Sequence, residues 1–227
     1  MLRRRNGLTG KLYVQYGCGL SCPSDWLNFD VSPRLRLESL PGSSQLLDLL
    51  GLRLFPKNVK YGDIVQGLPV EPQSASGVYC SHVLEHIDRA SISKALRNTF
   101  SILQPGGVFR LVVPDLAWRT QKFLQMQAEA DPSAADFFMR ATYLGKETRP
   151  RGAAGFLRTA IGNSAHLWMY DEALMRSLLT DAGFVDIRRC KFGDAEDPKF
   201  ALVEEEGRFY DNGNEELAME ARRPLKS

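Results

Sequence analysis

Apolar and polar positions along the chain follow two alternating periods. Leu12 to Tyr16 and Trp26 to Phe29 are short runs rich in branched and aromatic residues and followed by turn formers, which predicts two strands. Val59 to Ile64 and Gly77 to Cys80 predict two more. From Arg89 to Leu103 the period changes: Ile92, Ala95, Leu96, Thr99, Phe100 and Leu103 recur at helical spacing, and Pro105-Gly106-Gly107 stops them ahead of an apolar strand, Val108 to Val113. Leu46, Leu47, Leu49 and Leu50, behind Ser43 or Ser44 as a cap, read as a further helix. Two helical patterns lie between Leu116 and Leu144, one with Trp118, Phe123 and Leu124, the other with Phe137, Phe138 and Tyr143. Asp171 caps a helix carrying Leu174, Leu178, Leu179 and Ala182 and ended by Gly183, after which Phe184 to Phe192 and Glu216 to Arg222 are the last strands. Asp194 to Asn214 is acidic and weakly patterned. Strands separated by crossover helices imply an α/β fold with a parallel sheet, interrupted by the helices after Asp115.

Composition narrows this reading more than it extends it. At 227 residues the chain suits one domain, 1–227, carrying an insertion, and its 44% hydrophobic and 25% charged content is ordinary for a globular protein. No apolar stretch approaches the roughly 20 residues that cross a bilayer, so no membrane span is expected. Arg3-Arg4-Arg5 has no apolar segment behind it, which points away from a secretory signal and toward the cytoplasm. Cys18, Cys22, Cys80 and Cys190 are few and irregularly spaced, as in a chain with reduced thiols. The net charge of +2 is too near balance for general nucleic-acid binding, and the composition does not address oligomeric state.

The chemistry concentrates at strand ends. Gly17-Cys18-Gly19 closes the first strand with positions where the backbone can turn and approach a ligand, and Asp30 closes the second, where a carboxylate can grip a pair of ribose hydroxyls. A dinucleotide fingerprint requires a third glycine at position 22 and an acid about 20 residues on; position 22 is Cys, and Asp30 lies 11 residues after Gly19, so a nicotinamide cofactor is disfavoured. A plain glycine turn with a structural Asp remains open at this point.

The longer pattern, Tyr16-Gly17-Cys18-Gly19 followed by Asp25-Trp26-Leu27-Asn28-Phe29-Asp30, resembles the opening of class I S-adenosylmethionine-dependent methyltransferases, particularly the type-11-like group. HVLEHI after the fourth strand, LQPGGVFRLVVPDL, and HLWMYDEALMRSLLTDAGF are similar to the same group, so the likeness runs over nearly the whole chain. It departs from the commoner G-x-G-x-G form at Ser21. The resemblance implies a doubly wound, Rossmann-like sheet, mostly parallel with an antiparallel final strand, and a helical insertion, 116–165, after the fifth strand. It implies S-adenosylmethionine as cofactor, held by Tyr16, Gly17, Cys18, Gly19 and Asp30, by Asp63 and the Ile64 N–H at the adenine, and by Ser81 and His82 at the next strand end. Asp63 as a turn cap is the alternative that spacing alone leaves open.

The implied activity is methyl transfer to a small-molecule or sugar-type acceptor. Catalytic candidates are Glu85 and His86, which the resemblance places where the acceptor approaches, and His166, which precedes Trp168 at the insertion's return. Each histidine could equally be packed and hydrogen-bonded near the sheet edge. The insertion is expected to be a lid, with Lys146, Arg149, Arg151 and Arg158 either meeting the acceptor or solvating a surface. Two other functions compete. A binding module could keep the cofactor pocket and transfer nothing. His82-x-x-Glu85-His86 could ligate zinc in a hydrolase, but that needs a helix and a third ligand, and neither is evident, so no metal is expected.

Overall fold

The computed structural model describes residues 10–38, 54–145, 166–211 and 213–225. The expected helix at 43–50, the Arg3–Arg5 tail and the basic residues Lys146, Arg149, Arg151 and Arg158 lie outside the described residues. Among the described residues eight strands form: β1 (Leu12–Tyr16), β2 (Leu27–Asp30), β3 (Val59–Tyr61), β4 (Ala75–Ser81), β5 (Leu103–Pro114), β6 (Val185–Arg189), β7 (Tyr210–Asp211) and β8 (Asn214–Arg222). Their order across the sheet is β3-β2-β1-β4-β5-β8-β6, with the short β7 paired to β8. The strands β1 to β5 are mutually parallel, and β8 runs antiparallel to both β5 and β6.

The parallel register sets the carboxyl ends side by side. Tyr16 pairs with Phe29 and with Cys80, Asp30 with Tyr61, and Ser81 with Val112. The chain winds outward from β1 through β2 and β3, then returns to add β4 on the other side of β1. The crevice at that reversal, above the carboxyl ends, is where doubly wound sheets bind ligands.

Alternation of side chains along the strands divides the core between the two faces. Val14, Tyr16, Phe29, Val78, Phe109 and Leu111 join one cluster, covered by α2 (Ile92–Ile102) through Ile92, Ala95 and Leu96 and by α5 (Glu172–Asp181) through Met175 and Leu179. Tyr13, Trp26, Tyr79, Val112 and Ala218 join the other, with Phe200, Val203 and Phe209 over them. The acidic segment that lacked a clear pattern therefore packs onto this face of the sheet, using a 3₁₀ turn (Pro198–Leu202) and the one-turn helix α6 (Glu206–Phe209). Two of its acids have a partner there: buried Arg110 of β5 donates to Glu204 (2.7 Å) and Asp194 (3.1 Å), as well as to Glu220 of β8 (2.7 Å).

Several boundaries differ from expectation: β3 ends at Tyr61 rather than Ile64, and β4 runs from Ala75 to Ser81 rather than from Gly77 to Cys80. Pro105-Gly106-Gly107 lies inside β5, in an irregular stretch where the register passes from Ala75↔Leu103 to Gly77↔Val108. The last turn of α2 feeds straight into the strand, so the Pro-Gly-Gly signal marks a distortion of the strand rather than a loop before it. The sixth strand is confined to Val185–Arg189 because it sits at the sheet edge with one partner only. The insertion begins as expected with α3 (Leu116–Ala128) and α4 (Ala134–Ala141), and α1 (Pro33–Glu38) follows β2. No helix among the described residues is long and apolar enough to cross a membrane.

Candidate functional site

The glycine turn after β1 takes the shape its residues permit. Gly17 has φ +68°, and a Cβ there would stand 2.1 Å from Val83 Cγ2. Gly19 is also left-handed, at φ +54°, and its N–H donates to Asp30 Oδ2 at 2.9 Å. Asp30 Oδ1 accepts from Ser32 N–H at 2.8 Å, so this one carboxylate pins both the turn and the chain leaving β2. Asp63 Oδ1 accepts from Val65 N–H at 2.8 Å, and Asn98 Nδ2 donates to the Ile64 carbonyl at 2.7 Å, which orients the loop after β3.

These strand ends enclose a cavity of about 560 Å³ whose walls include Tyr16, Gly17, Asp30, Asp63, Ile64, His82 and His86. Six of the nine residues expected to hold the cofactor are thus brought together. Cys18, Gly19 and Ser81 are not on its walls. Cys18 is buried behind the turn, where its thiol points to the Gly19 carbonyl at 3.6 Å and burial pushes its pKa far up. Gly19 acts through Asp30, and Ser81 is buried at the end of β4.

Beyond β4 the backbone turns sharply. His82 adopts φ +54°, a conformation few residues other than glycine take, held by its N–H to the Val112 carbonyl at 2.9 Å. Its Nε2 donates to the Arg208 carbonyl at 2.9 Å, and its Nδ1 stands 3.3 Å from Glu85 Oε1. Burial opposes charge on His82, but the Glu85 carboxylate and the Arg208 carbonyl outweigh it, and its pKa is raised. Leu84–His86 is a single 3₁₀ turn, so His82 and His86 do not share the face of an α-helix as the hydrolase motif requires.

Glu85 is fully buried, and among the described residues neither of its carboxylate oxygens has a hydrogen bond of acceptable geometry. Its carbonyl, by contrast, accepts from Leu167 N–H (2.7 Å) and Trp168 N–H (3.2 Å). Tyr170 reinforces the connection: its hydroxyl donates to the Leu84 carbonyl at 3.3 Å, and it bridges to Asp115 beyond β5. This splice carries His166 to Glu85 and His86. The His86 and His166 rings are 5.2 Å apart, Tyr143 lies 4.5 Å from His166, and one ligating atom from each of Glu85, His86 and His166 falls within 4.8 Å of the other two. The premise that no third donor accompanies the Glu-His pair therefore does not hold. Burial pushes His166 down to about 4, with Glu85 pulling the other way and His86 and His82 adding to the fall.

A second cavity, of about 430 Å³, adjoins the first across His82 and His86. Glu85, His166, Tyr143, Arg119, Arg208 and Glu216 stand around it. The sequence offers no signal for Arg119, Tyr143, Arg208 or Glu216. Arg119, in the polar run of α3, is nonetheless buried and meets Glu216 of β8 through two bonds of 2.8 and 3.0 Å. The packing of α3 against β8 brings these two together, while Tyr143 comes from the turn after α4 and Arg208 from α6. Trp168, expected to bracket the return from the insertion, is 42% exposed, and its neighbour Leu167 reaches the first cavity instead.

Comparison with known proteins bears on the family and the fold. The family model described as a methyltransferase domain matches residues 20–188. Among solved structures, a SAM-dependent methyltransferase from Archaeoglobus fulgidus superposes with a TM-score of 0.52 at 14% identity, over 95% of this chain and 87% of that one. Phosphoethanolamine N-methyltransferase 2 of Haemonchus contortus matches at 0.45 and 12%, over 95% of this chain and 49% of that one, too loosely to carry an argument. The first likeness shows the fold. No curated protein is detectably similar to the chain in sequence.

Proposed function

Because the chain belongs to the methyltransferase-domain family, with S-adenosylmethionine as its cofactor, we propose that it methylates a small-molecule or sugar-type acceptor held in the 430 Å³ cavity. The observation that carries this reading is the shared wall: His82 and His86 border both cavities, so a donor in one and an acceptor in the other meet across them. The cofactor, when bound, supplies an electrophilic methyl group on a sulfonium, so the chain's main task is alignment.

The larger cavity suits such a ligand in size and in chemistry. At about 560 Å³ it falls in the range of small-molecule sites. Asp30 and Asp63 each retain acceptor capacity beyond the backbone bonds they make, and Gly17 leaves room that any side chain would contest with Val83. In this reading Asp30 grips the ribose hydroxyls, Asp63 and the Ile64 N–H meet the adenine, and the turn Tyr16–Gly19 lies along the methionine end. Cys18, Gly19 and Ser81 contribute by shaping that wall from behind.

On the acceptor side, Glu85, His86 and His166 orient the nucleophile. Residues 1–227 act in this reading as one domain in which the insertion, 116–165, covers the acceptor. Arg119 from α3 and Tyr143 from the turn after α4 support it, because both stand at the acceptor cavity. The test is production of S-adenosylhomocysteine over a panel of small metabolites and sugars. Turnover with an acceptor is expected, and His166→Ala should lower it by about 10²-fold while cofactor affinity stays constant. A protein that binds the cofactor yet produces nothing with any acceptor would be a binding module instead.

A further inference from the structure

We propose that Glu85, His86 and His166 form a binding site for a divalent first-row transition-metal cation, facing the acceptor cavity. The three donors arrive from two places eighty residues apart in sequence, yet one ligating atom from each lies within 4.8 Å of the others. Two imidazoles and one carboxylate are a donor set suited to zinc, manganese, iron(II) or cobalt rather than to magnesium or calcium, which prefer oxygen alone.

Two observations point to a cation independently of that spacing. The Glu85 side chain is fully buried, and both of its oxygens lack a hydrogen bond. The nearest side-chain nitrogens among the described residues are His82 Nδ1 at 3.3 Å and His86 Nε2 at 3.9 Å, neither in hydrogen-bonding geometry to it. A carboxylate removed from water with its lone pairs unanswered is costly and is normally relieved by a positive charge. His166 Nδ1 is the second orphan, buried and without a hydrogen-bond partner among the described residues. Orphaned atoms from both strands of the splice thus converge on one point.

The frame around that point is already built. The Glu85 carbonyl holds Leu167 and Trp168, so the backbone that carries His166 is tied to the backbone that carries Glu85 and His86. Metal–ligand distances of about 2.0–2.2 Å place neighbouring donors roughly 3–3.5 Å apart. Side-chain rotation alone must therefore draw the three inward, while the pinned backbone stays in place. His82 is not one of the set: its Nε2 is committed to the Arg208 carbonyl at 2.9 Å. The site is accordingly distinct from the H-x-x-E-H arrangement that the sequence spells.

All three residues line the acceptor cavity, so positions on the cation left open by the protein face that space. An acceptor hydroxyl or vicinal diol could occupy them, and coordination lowers the pKa of a bound oxygen acid. That use of the cation rests on the proposed methyl transfer, whereas the binding itself does not.

The experiment titrates chelator-stripped, full-length protein with Zn²⁺ and, separately, Mn²⁺, with neither cofactor nor acceptor present. One equivalent of at least one of these should bind. Glu85→Gln and His166→Ala should each weaken it by about tenfold or more, while calorimetric binding of S-adenosylhomocysteine confirms that the variants are folded. No saturable binding by the stripped wild-type protein overturns the proposal whatever the variants do, and leaves methyl transfer standing. Binding that survives His166→Ala but is lost in His82→Ala also overturns it, by returning the ligands to the sequence motif. Saturable binding with the expected losses upholds the site even if no acceptor is ever methylated.

Discussion

Removal of the Asp30 carboxylate separates what that group does for the fold from what it does for the ligand. Its two oxygens accept from Gly19 N–H at 2.9 Å and Ser32 N–H at 2.8 Å, and it borders the larger cavity. In Asp30→Ala both backbone donors lose a charged acceptor, but Asp30 is only half-buried and water can partly replace it. The expected cost in stability is about 1–3 kcal/mol, equivalent to a fall in Tm of about 2–4 °C per kcal/mol for a chain of this size. The ligand loses separately. A charged hydrogen bond to a ribose hydroxyl is worth about 1.5–3 kcal/mol, so affinity for S-adenosylhomocysteine should fall at least about tenfold, the effect of 1.4 kcal/mol. A 2′-deoxy analogue makes the attribution specific. Wild-type protein should prefer the ribose form by about tenfold or more, and in Asp30→Ala that preference should vanish, since the hydroxyl has lost its partner. Asp30→Asn keeps one acceptor oxygen for the turn and loses the charge, so it should recover stability more than affinity. Calorimetry with both ligands on all three proteins reads each quantity. A folded Asp30→Ala with unchanged affinity, or one that still discriminates against the deoxy analogue, would refute the assignment.

Gly17 and Gly19 share a left-handed backbone but not the same surroundings, so alanine should affect them differently. Both substitutions incur the conformational cost of about 1–2 kcal/mol, yet only Gly17→Ala sets a Cβ 2.1 Å from Val83; its cofactor affinity should fall about tenfold or more and be partly restored by adding Val83→Ala, with no rescue refuting the steric cause. Asp194 makes stability depend on acid: burial works against its ionisation, but bonds from Arg188 and Arg110 outweigh that and hold its pKa below the usual carboxylate range. A depressed folded-state pKa contributes stability that is present above the unfolded value, near 4, and lost as pH falls through the folded one. Thermal melts of Asp194→Asn should therefore show a shallower decline below about pH 4 than wild type, and parallel curves would remove Asp194 from the acid response.

What the sequence determined by itself is what local physics controls. Short apolar runs rich in branched and aromatic residues identified β1, β2, β4 and β5, helical spacing identified α2 and α5, and two glycines with an acid eleven residues on marked strand ends that meet at the larger cavity, because turn chemistry and amphipathic period act over a few neighbours. The tertiary structure decided the rest. It turned Cys18 and Ser81 away from the cavity, since residues adjacent in a strand or turn point in opposite directions. It assigned the weakly patterned acidic segment to a sheet face, where Arg110 supplies the charge that no linear pattern could reveal. Above all it brought His166 to Glu85 and His86 through bonds from Leu167 and Trp168 to a single carbonyl. A third donor eighty residues from the first two has no spacing to read: its place depends on strand order and on which backbone groups find partners once the sheet has assembled.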